Sequence, residues 1–192
     1  MALYHNIKNF LRRLAEIFYP SACARPMTKY LKSLNKKSLR GVEIGVQRGR
    51  NAYNMLRLLD IRFLYLIDPY EWYPESTETS SQHVNLNKYY NIAKRKTRKY
   101  YKNRTFIRKY SNKAIRDISS LLDFVYIDGN HDYKYVKEDI KLYYPLLKKG
   151  GIIGGHDYTA SFPGVAKAVQ EFADEHKLKI QGGEIDWWMV KE

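Results

Sequence analysis

A single cysteine, Cys23, in 192 residues excludes an internal disulfide and points to a reducing compartment, the cytoplasm, rather than to a disulfide-stapled secreted module. No apolar run approaches the ~20 residues that a membrane-spanning helix needs. Lys8, Arg12 and Arg13 interrupt the apolar residues of the N-terminus, so the uninterrupted core of a secretion signal is missing. Internal repeats and low-complexity linkers are also missing, which leaves one domain as the simplest organisation at this length. Acidic residues are scarce: 20 Asp and Glu against 34 Lys and Arg leave a net charge of +14. That excess suits an anionic partner such as nucleic acid, an acidic glycan, a phosphorylated substrate or a membrane surface, and equally suits charges spread over solvated faces. With 44% hydrophobic and 15% aromatic residues, the chain has ample apolar surface to offset its entropy, which excludes disorder.

The organising stretch is residues 39–68, LRGVEIGVQRGRNAYNMLRLLDIRFLYLID. Val42, Ile44 and Val46 form a short apolar run flanked by glycines, as in a strand buried in a parallel sheet. Gly45 and Gly49 bracket a turn in which the backbone can bend and a ligand can approach the N–H groups of a helix starting near Arg50. Ala52, Met55, Leu56 and Leu59 share one face of that helix. A second strand, residues 63–67, delivers Asp68 nineteen residues after Gly49, to the strand end where an acidic side chain accepts hydrogen bonds from both hydroxyls of a ribose.

Residues 5–18 place Ile7, Phe10, Leu11, Leu14, Ile17 and Phe18 on one helical face, which predicts packing on the domain or on a second copy in a homodimer; the alternative is a membrane-surface helix with Lys8, Arg12 and Arg13 as its basic face. A short helix over residues 28–34 follows, so that residues 1–38 form a helical extension to a domain over 39–192. After Asp68, a polar, turn-rich loop with Trp72 and Tyr73 near its start predicts a lid or substrate wall. Residues 84–103 interleave Lys, Arg and Tyr, as a crossover helix with inward tyrosines or as a phosphate-gripping, base-stacking surface, although no RNA-binding signature accompanies them. Residues 104–110 read as a third strand, with Ser111 and Asn112 capping the next helix. Residues 124–127 are a fourth strand ending in Asp128. A helix from residue 135 or 136 to 147 is stopped by Gly150 and Gly151, and Ile152 and Ile153 open a fifth strand that leads to His156 and Asp157. A further helix spans residues 164–176, and the tail reads as an antiparallel hairpin around Gly182 and Gly183. The expected fold class is α/β: a Rossmann-like, mostly parallel, seven-stranded sheet with helices on both faces and a C-terminal antiparallel hairpin.

Glu43-Ile44-Gly45-Val46-Gln47-Arg48-Gly49 resembles the first motif, E/D-x-G-x-x-x-G, of class I S-adenosylmethionine-dependent methyltransferases. The run DFVYIDGNHDYKYVKEDIKLYYPLLKKGGIIGGHDY, residues 123–158, is similar to the branch known as methyltransferase family 24. A dinucleotide site instead needs G-x-G-x-x-G, and Gln47 stands where its middle glycine would let backbone approach a pyrophosphate. S-adenosylmethionine has no phosphate. Its ammonium suits Glu43 and its carboxylate the N-terminal end of the following helix. The resemblance implies the same placement, with Glu43, Gly45, Gly49 and Asp68 on the cofactor and Ser111 and Asn112 near its adenine pocket, where capping alone explains the last two equally well.

Asp128 and Asp157 end neighbouring strands, and two carboxylates there can hold a divalent cation, with Mg2+ as the ion that oxygen ligands favour. In metal-dependent O-methyltransferases of similar layout, the Asp at the first of these strand ends binds metal and a Lys or His three residues on is the base; Asp128 and His131 match that spacing. Such enzymes carry two acidic or amide ligands after the fifth strand, where this chain has His156 and Asp157, so His156 is a departure that can ligate metal, contact substrate or hold a loop. The expected activity is methyl transfer from S-adenosylmethionine to an oxygen of a small molecule or sugar, with the glycan preference carried by the resemblance alone. Two alternatives stand beside it: an RNA-directed methyltransferase gripping its substrate with the basic residues from Lys88 to Arg104, and a non-catalytic cofactor-binding module.

Overall fold

The computed structural model describes residues 24–73, 85–183 and 185–192. The helix expected over residues 5–18, with its dimer contact and its membrane-surface alternative, lies outside the described residues. Among those described, no helix is long and apolar enough to cross a membrane. The chain runs through α1 (Pro26–Ser33), β1 (Leu39–Ile44), α2 (Arg50–Leu58), β2 (Ile61–Ile67) and α3 (Leu86–Lys96). A 3-10 segment (Arg98–Asn103), β3 (Arg104–Ile107), a single-turn α4 (Ser111–Ala114) and β4 (Leu122–Ile127) follow. The last elements are α5 (Tyr133–Tyr143), β5 (Leu147–Gly155), α6 (Pro163–His176), β6 (Gln181–Gly183) and β7 (Asp186–Val190).

The strands form one sheet in the order β3-β2-β1-β4-β5-β7-β6. β1 to β5 are parallel, and β7 runs antiparallel between β5 and β6, so the seven-stranded sheet and terminal hairpin match the sequence reading. Alternation along the central strands divides the core in two. Val42, Ile44, Tyr65 and Ile67 point to the face covered by Val136 and Ile140 of α5 and by Val165, Ala168, Val169 and Phe172 of α6. Leu64 and Leu66 point to the other face, with Met27 and Leu31 of α1, Ala52, Met55 and Leu56 of α2, and Ala93 of α3. The strand order reverses between β1 and β4, which opens a crevice beyond their carboxyl ends.

Several boundaries differ from the sequence reading. α5 ends at Tyr143 rather than running to residue 147, because Pro145 has no N–H for another helical turn and a short 3-10 segment, Tyr144–Leu146, takes over. Gly150 and Gly151 therefore sit inside β5 and stop no helix. β3 is only four residues long, ending at Ile107. In α3 only Ala93 is buried; its tyrosines are half-buried, and Tyr101 beyond it is exposed.

One buried carboxyl makes folding pH-dependent. Asp139, on the inner face of α5, is pushed up to about 7, chiefly by burial, which outweighs the hydrogen bond from Ser111. A carboxyl that holds its proton more tightly in the fold contributes most below its unfolded value near 4, and this contribution is lost as pH rises through 7. Asp139→Asn should leave stability nearly unchanged at pH 4 and raise it at pH 8, by at most about 4 kcal/mol. Urea midpoints at the two pH values check this, and an equal shift at both would refute the assignment.

Candidate active site

The sheet itself sets out the rim of the crevice. Each chain segment leaving a parallel strand stays bonded to the last carbonyl of its neighbour: Gly45 N–H donates to Ile67 O at 2.8 Å, Asp68 to Ile107 O at 3.2 Å, Asp128 to Ile44 O at 2.7 Å and His156 to Ile127 O at 3.0 Å. Strand ends more than eighty residues apart in sequence thus stand side by side. They line a cleft of about 740 Å³ whose walls include Arg25, Glu43, Gly45, Asp68, Asp128, His131, His156 and Asp157, with Trp72 and Tyr73 on the side where a lid or wall was expected.

In one half of the cleft, Glu43 is 1% exposed. Its carboxyl lies well above the usual carboxylate range, first because of burial and then because of the nearby Asp128 charge. Its Oε2 and the side-chain amide of Asn51 are buried without a well-formed hydrogen bond among the described residues, although Asn51 is near enough to pull the Glu43 carboxyl partly back down and both residues line the cleft. Gly45 turns at φ 83°, and a Cβ there would sit 1.9 Å from the Asp128 carbonyl oxygen. The glycine therefore admits the neighbouring strand end, and its backbone lines the cleft. Gly49 similarly makes room for Ala93 of α3, and lies outside the cleft lining.

Asp68 ties this turn together. Its Oδ2 accepts from Val46 N–H (3.0 Å) and Gln47 N–H (2.8 Å), and its Oδ1 from Tyr70 N–H (2.8 Å). Burial holds its carboxyl above the usual value despite these bonds. A carboxylate offers about four lone-pair positions, so these three bonds leave one for a further donor. Gln47 and Tyr70 take positive φ, 48° and 52°, conformations that non-glycine residues rarely adopt and that persist where the surroundings hold them. Here Asp68 and the Tyr70 hydroxyl, which donates to Gln47 O at 3.0 Å, do the holding.

In the other half, His131 Nε2 lies 2.9 Å from Asp157 Oδ2 and 3.7 Å from Asp128 Oδ1. His156 Nδ1 lies 2.7 Å from Asp157 Oδ1 and 3.8 Å from Asp128 Oδ1. The two short contacts set one imidazole nitrogen beside each oxygen of the Asp157 carboxylate. Burial alone would raise Asp157, but the two imidazoles beside it more than reverse that and hold its carboxyl well below the usual range. Asp157 itself sits at φ 61°. Arg25 completes the group, its Nη2 3.5 Å from Asp128 Oδ2. Arg25 is held there from the far end of the chain: the buried Asp186 of β7 accepts from Met27 N–H (3.1 Å) and from the Tyr126 hydroxyl (3.0 Å), in effect capping α1 from another element.

The sequence-predicted residues Glu43, Gly45, Asp68, Asp128, His131, His156 and Asp157 all meet in this cleft. Ser111 and Asn112 do not. The cap position falls on Tyr110, the Ser111 carbonyl accepts from Tyr143 Oη at 2.9 Å, and Asn112 Nδ2 faces Glu138 of α5, because the single turn of α4 packs onto that helix. Sequence reasoning missed Arg25, whose partner is 103 residues away, and Asn51. Only Asn51 left a signal, as a polar residue in the first turn beside the apolar stripe of α2.

Residues 42–158 match a family described as "Methyltransferase domain". A curated relative, the uncharacterized protein R132 of Acanthamoeba polyphaga mimivirus, is 34% identical over 131 residues, covering 66% of this chain and 54% of its own length. The chain thus spans about half of that relative. Among solved structures, the O-methyltransferase NovP superposes with a TM-score of 0.65 at 16% identity over 86% of this chain and 79% of its own. An O-methyltransferase from Bacillus cereus in complex with SAH gives 0.60 at 15% identity over 96% and 90%. The sheet order, the crevice at its switch point and the family match agree, and the chain belongs to the class I S-adenosylmethionine-dependent methyltransferases.

Proposed function

We infer that the protein transfers the methyl group of S-adenosylmethionine to an oxygen of a small molecule or sugar, with His131 as general base and Asp157 as the residue that positions it. The observation that carries this reading is the convergence of the Glu43 oxygen and Asn51 amide, buried without a well-formed hydrogen bond, with the His131, Asp157 and Asp128 cluster in one cleft. The cofactor's ammonium would satisfy Glu43 and Asn51, and one ribose hydroxyl would fill the last position on Asp68. When bound, it supplies a methyl carbon activated by a sulfonium, so the chain's own task is to align the attacking oxygen and remove its proton. A hydroxyl placed between Asp128 and His131 gives its proton to His131 Nε2 as its oxygen takes the methyl. The imidazolium so formed lies 2.9 Å from Asp157, which neutralises its charge in place. The names of the two solved neighbours, both O-methyltransferases, support oxygen as the acceptor atom.

Asp128, His131 and Asp157 bring ligand atoms within 4.8 Å of one another, close enough to surround an ion. The donor set does not fit Mg2+. One of the three is an imidazole, where Mg2+ wants oxygens in near-ideal octahedral geometry. Both carboxylates are already engaged by Arg25, His131 and His156. The reaction is therefore derived without a metal.

Incubation with methyl-labelled S-adenosylmethionine and a panel of hydroxylated sugars and phenols, with EDTA or with Mg2+, tests the reading. Label should appear in an ether linkage, at rates within about two-fold in the two conditions, since no step depends on the ion. Label on nitrogen or carbon would reject the oxygen acceptor, and activity that needs Mg2+ would reject the metal-free base.

A further inference from the structure

The charge of this protein is not spread evenly. Residues 85–116 hold 12 Lys and Arg and not one Asp or Glu; the other 160 residues hold 22 of the first kind and 20 of the second. Nearly the whole excess therefore comes from α3, the 3-10 segment, β3 and α4. Within this stretch some cations have structural work: Arg104 donates to the carbonyls of Thr97 and Lys94 at the end of α3, Arg108 bonds Asn87, and Lys109 pairs with Asp117. A different set remains open. Lys94, Arg95, Arg98, Lys99 and Lys102 are exposed, and none is in an ion pair among the described residues. Between them Tyr101 stands 65% exposed, with the Lys102 ammonium 5.8 Å from its ring centre.

This patch is built rather than frayed. Tyr100 packs edge-on against Tyr53 of α2 at 6.2 Å, and Asn103 Nδ2 holds the Ile61 carbonyl at 3.1 Å, fixing the 3-10 segment to the start of β2. Asp60 and Arg62, which flank that carbonyl, carry opposite charges. The patch also lies away from the cleft. Leu86 lines the cleft, whereas α3 carries the chain down to Lys96, about 15 Å along the helix axis. Arg104, paired with Leu64, is at the end where the parallel strands begin.

We propose that the surface formed by Lys94, Arg95, Arg98, Lys99, Tyr101 and Lys102 binds single-stranded nucleic acid as a tether, separate from the methyl-acceptor site. A polyphosphate backbone is matched by closely spaced cations without carboxylates, and an exposed aromatic ring among them offers a face on which a base can stack. A membrane surface would instead call for exposed apolar side chains beside the cations, and in this stretch Tyr101 is the exposed large apolar residue among those described. The tether holds nucleic acid at the opposite end of the sheet from His131, so its occupancy and that of the cofactor are independent.

The test uses the full chain and a fluorescent single-stranded RNA of mixed sequence, about 20 nucleotides long, enough to cross one binding groove. With four phosphates contacted, affinity should fall about 50-fold between about 50 and 200 mM salt, since each contact adds about 0.7 to the logarithmic slope on a single strand. The triple variant Arg95→Glu, Arg98→Glu, Lys102→Glu should weaken binding at least about 10-fold and flatten that slope, and Tyr101→Ala should cost about five-fold through lost stacking. All variants should bind S-adenosylhomocysteine as the wild type does, which reports an intact fold. Four results would overturn the proposal: no RNA binding at the lower salt, undiminished binding by the triple variant, displacement of cofactor by RNA, or capture by phosphatidylserine vesicles with RNA ignored.

Discussion

His131→Ala should lower kcat by about 10²- to 10⁴-fold while leaving S-adenosylhomocysteine affinity within about two-fold of wild type, the pattern of a group used in the transition state and not in cofactor binding. The geometry separates the two roles. His131 faces Asp157 and Asp128, and the buried Glu43 oxygen lies in the other half of the cleft. Truncation removes the atom that takes the proton and leaves Asp157 to its contact with His156 at 2.7 Å. Asp157→Asn is the companion: it keeps the shape, removes the charge that stabilises the imidazolium, and should also act on kcat rather than on cofactor affinity. Single-turnover rates and calorimetry on the same preparations decide the matter. Unchanged turnover in His131→Ala would remove that residue from the chemistry, and a joint loss of turnover and cofactor binding would make it a residue of the fold.

Gly45→Ala should cost about 3 kcal/mol or more of stability and abolish cofactor binding, a loss at the severe end for one methyl group. Two penalties coincide. At φ 83° an L side chain is strained, and the new Cβ would meet the Asp128 carbonyl oxygen at 1.9 Å, with Gly129 N at 2.6 Å. The obstacle is backbone, so it cannot rotate away; β1 and β4 must part at the switch point, which is also the floor of the cleft. Gly49→Ala shares the strain of a positive φ, 67°, but is the milder comparison, because its nearest obstacles are the Ala93 methyl at 2.9 Å and Cα at 3.0 Å, on a helix that can shift. Urea denaturation and calorimetry of both variants measure the difference. A wild-type midpoint for Gly45→Ala would show that the strand ends do not need their close approach.

Local pattern carried much of this to the reader of the sequence. The alternation of Val42 with Glu43 and of Leu64 with Tyr65 is visible as a period of two, and strand periodicity fixes which side chains reach the same rim. Asp68 and Asp128 follow apolar runs directly, and Asp157 comes four residues after Ile153, so their place at strand exits could be read without coordinates. Gln47 was legible as an obstacle to a pyrophosphate, though not as a residue that would turn at positive φ with no glycine. What stayed hidden depends on contacts between distant segments. Nothing near Arg25 announces Asp128, and nothing near Asp186 announces the amide of Met27. Ser111 misled because a serine before a helical run is a frequent cap, whereas here the cap position shifted by one residue and the turn settled against α5. Gly150 and Gly151 misled for a similar reason: Pro145 had already ended the helix before they were reached.

The capping of α1 by Asp186 also orders events in time. A chain emerges from the ribosome N-terminus first, so α1 with Arg25 is made long before the strand that anchors it. The wall that carries Arg25 to Asp128 has no anchor until β7 has been made and inserted between β5 and β6. The crevice is therefore completed on that side last: β4 joins β1, and then β5 joins β4, before α1 finds the carboxylate that fixes its first turn. Synthesis advances 159 residues between the Met27 amide and the carboxylate that accepts from it.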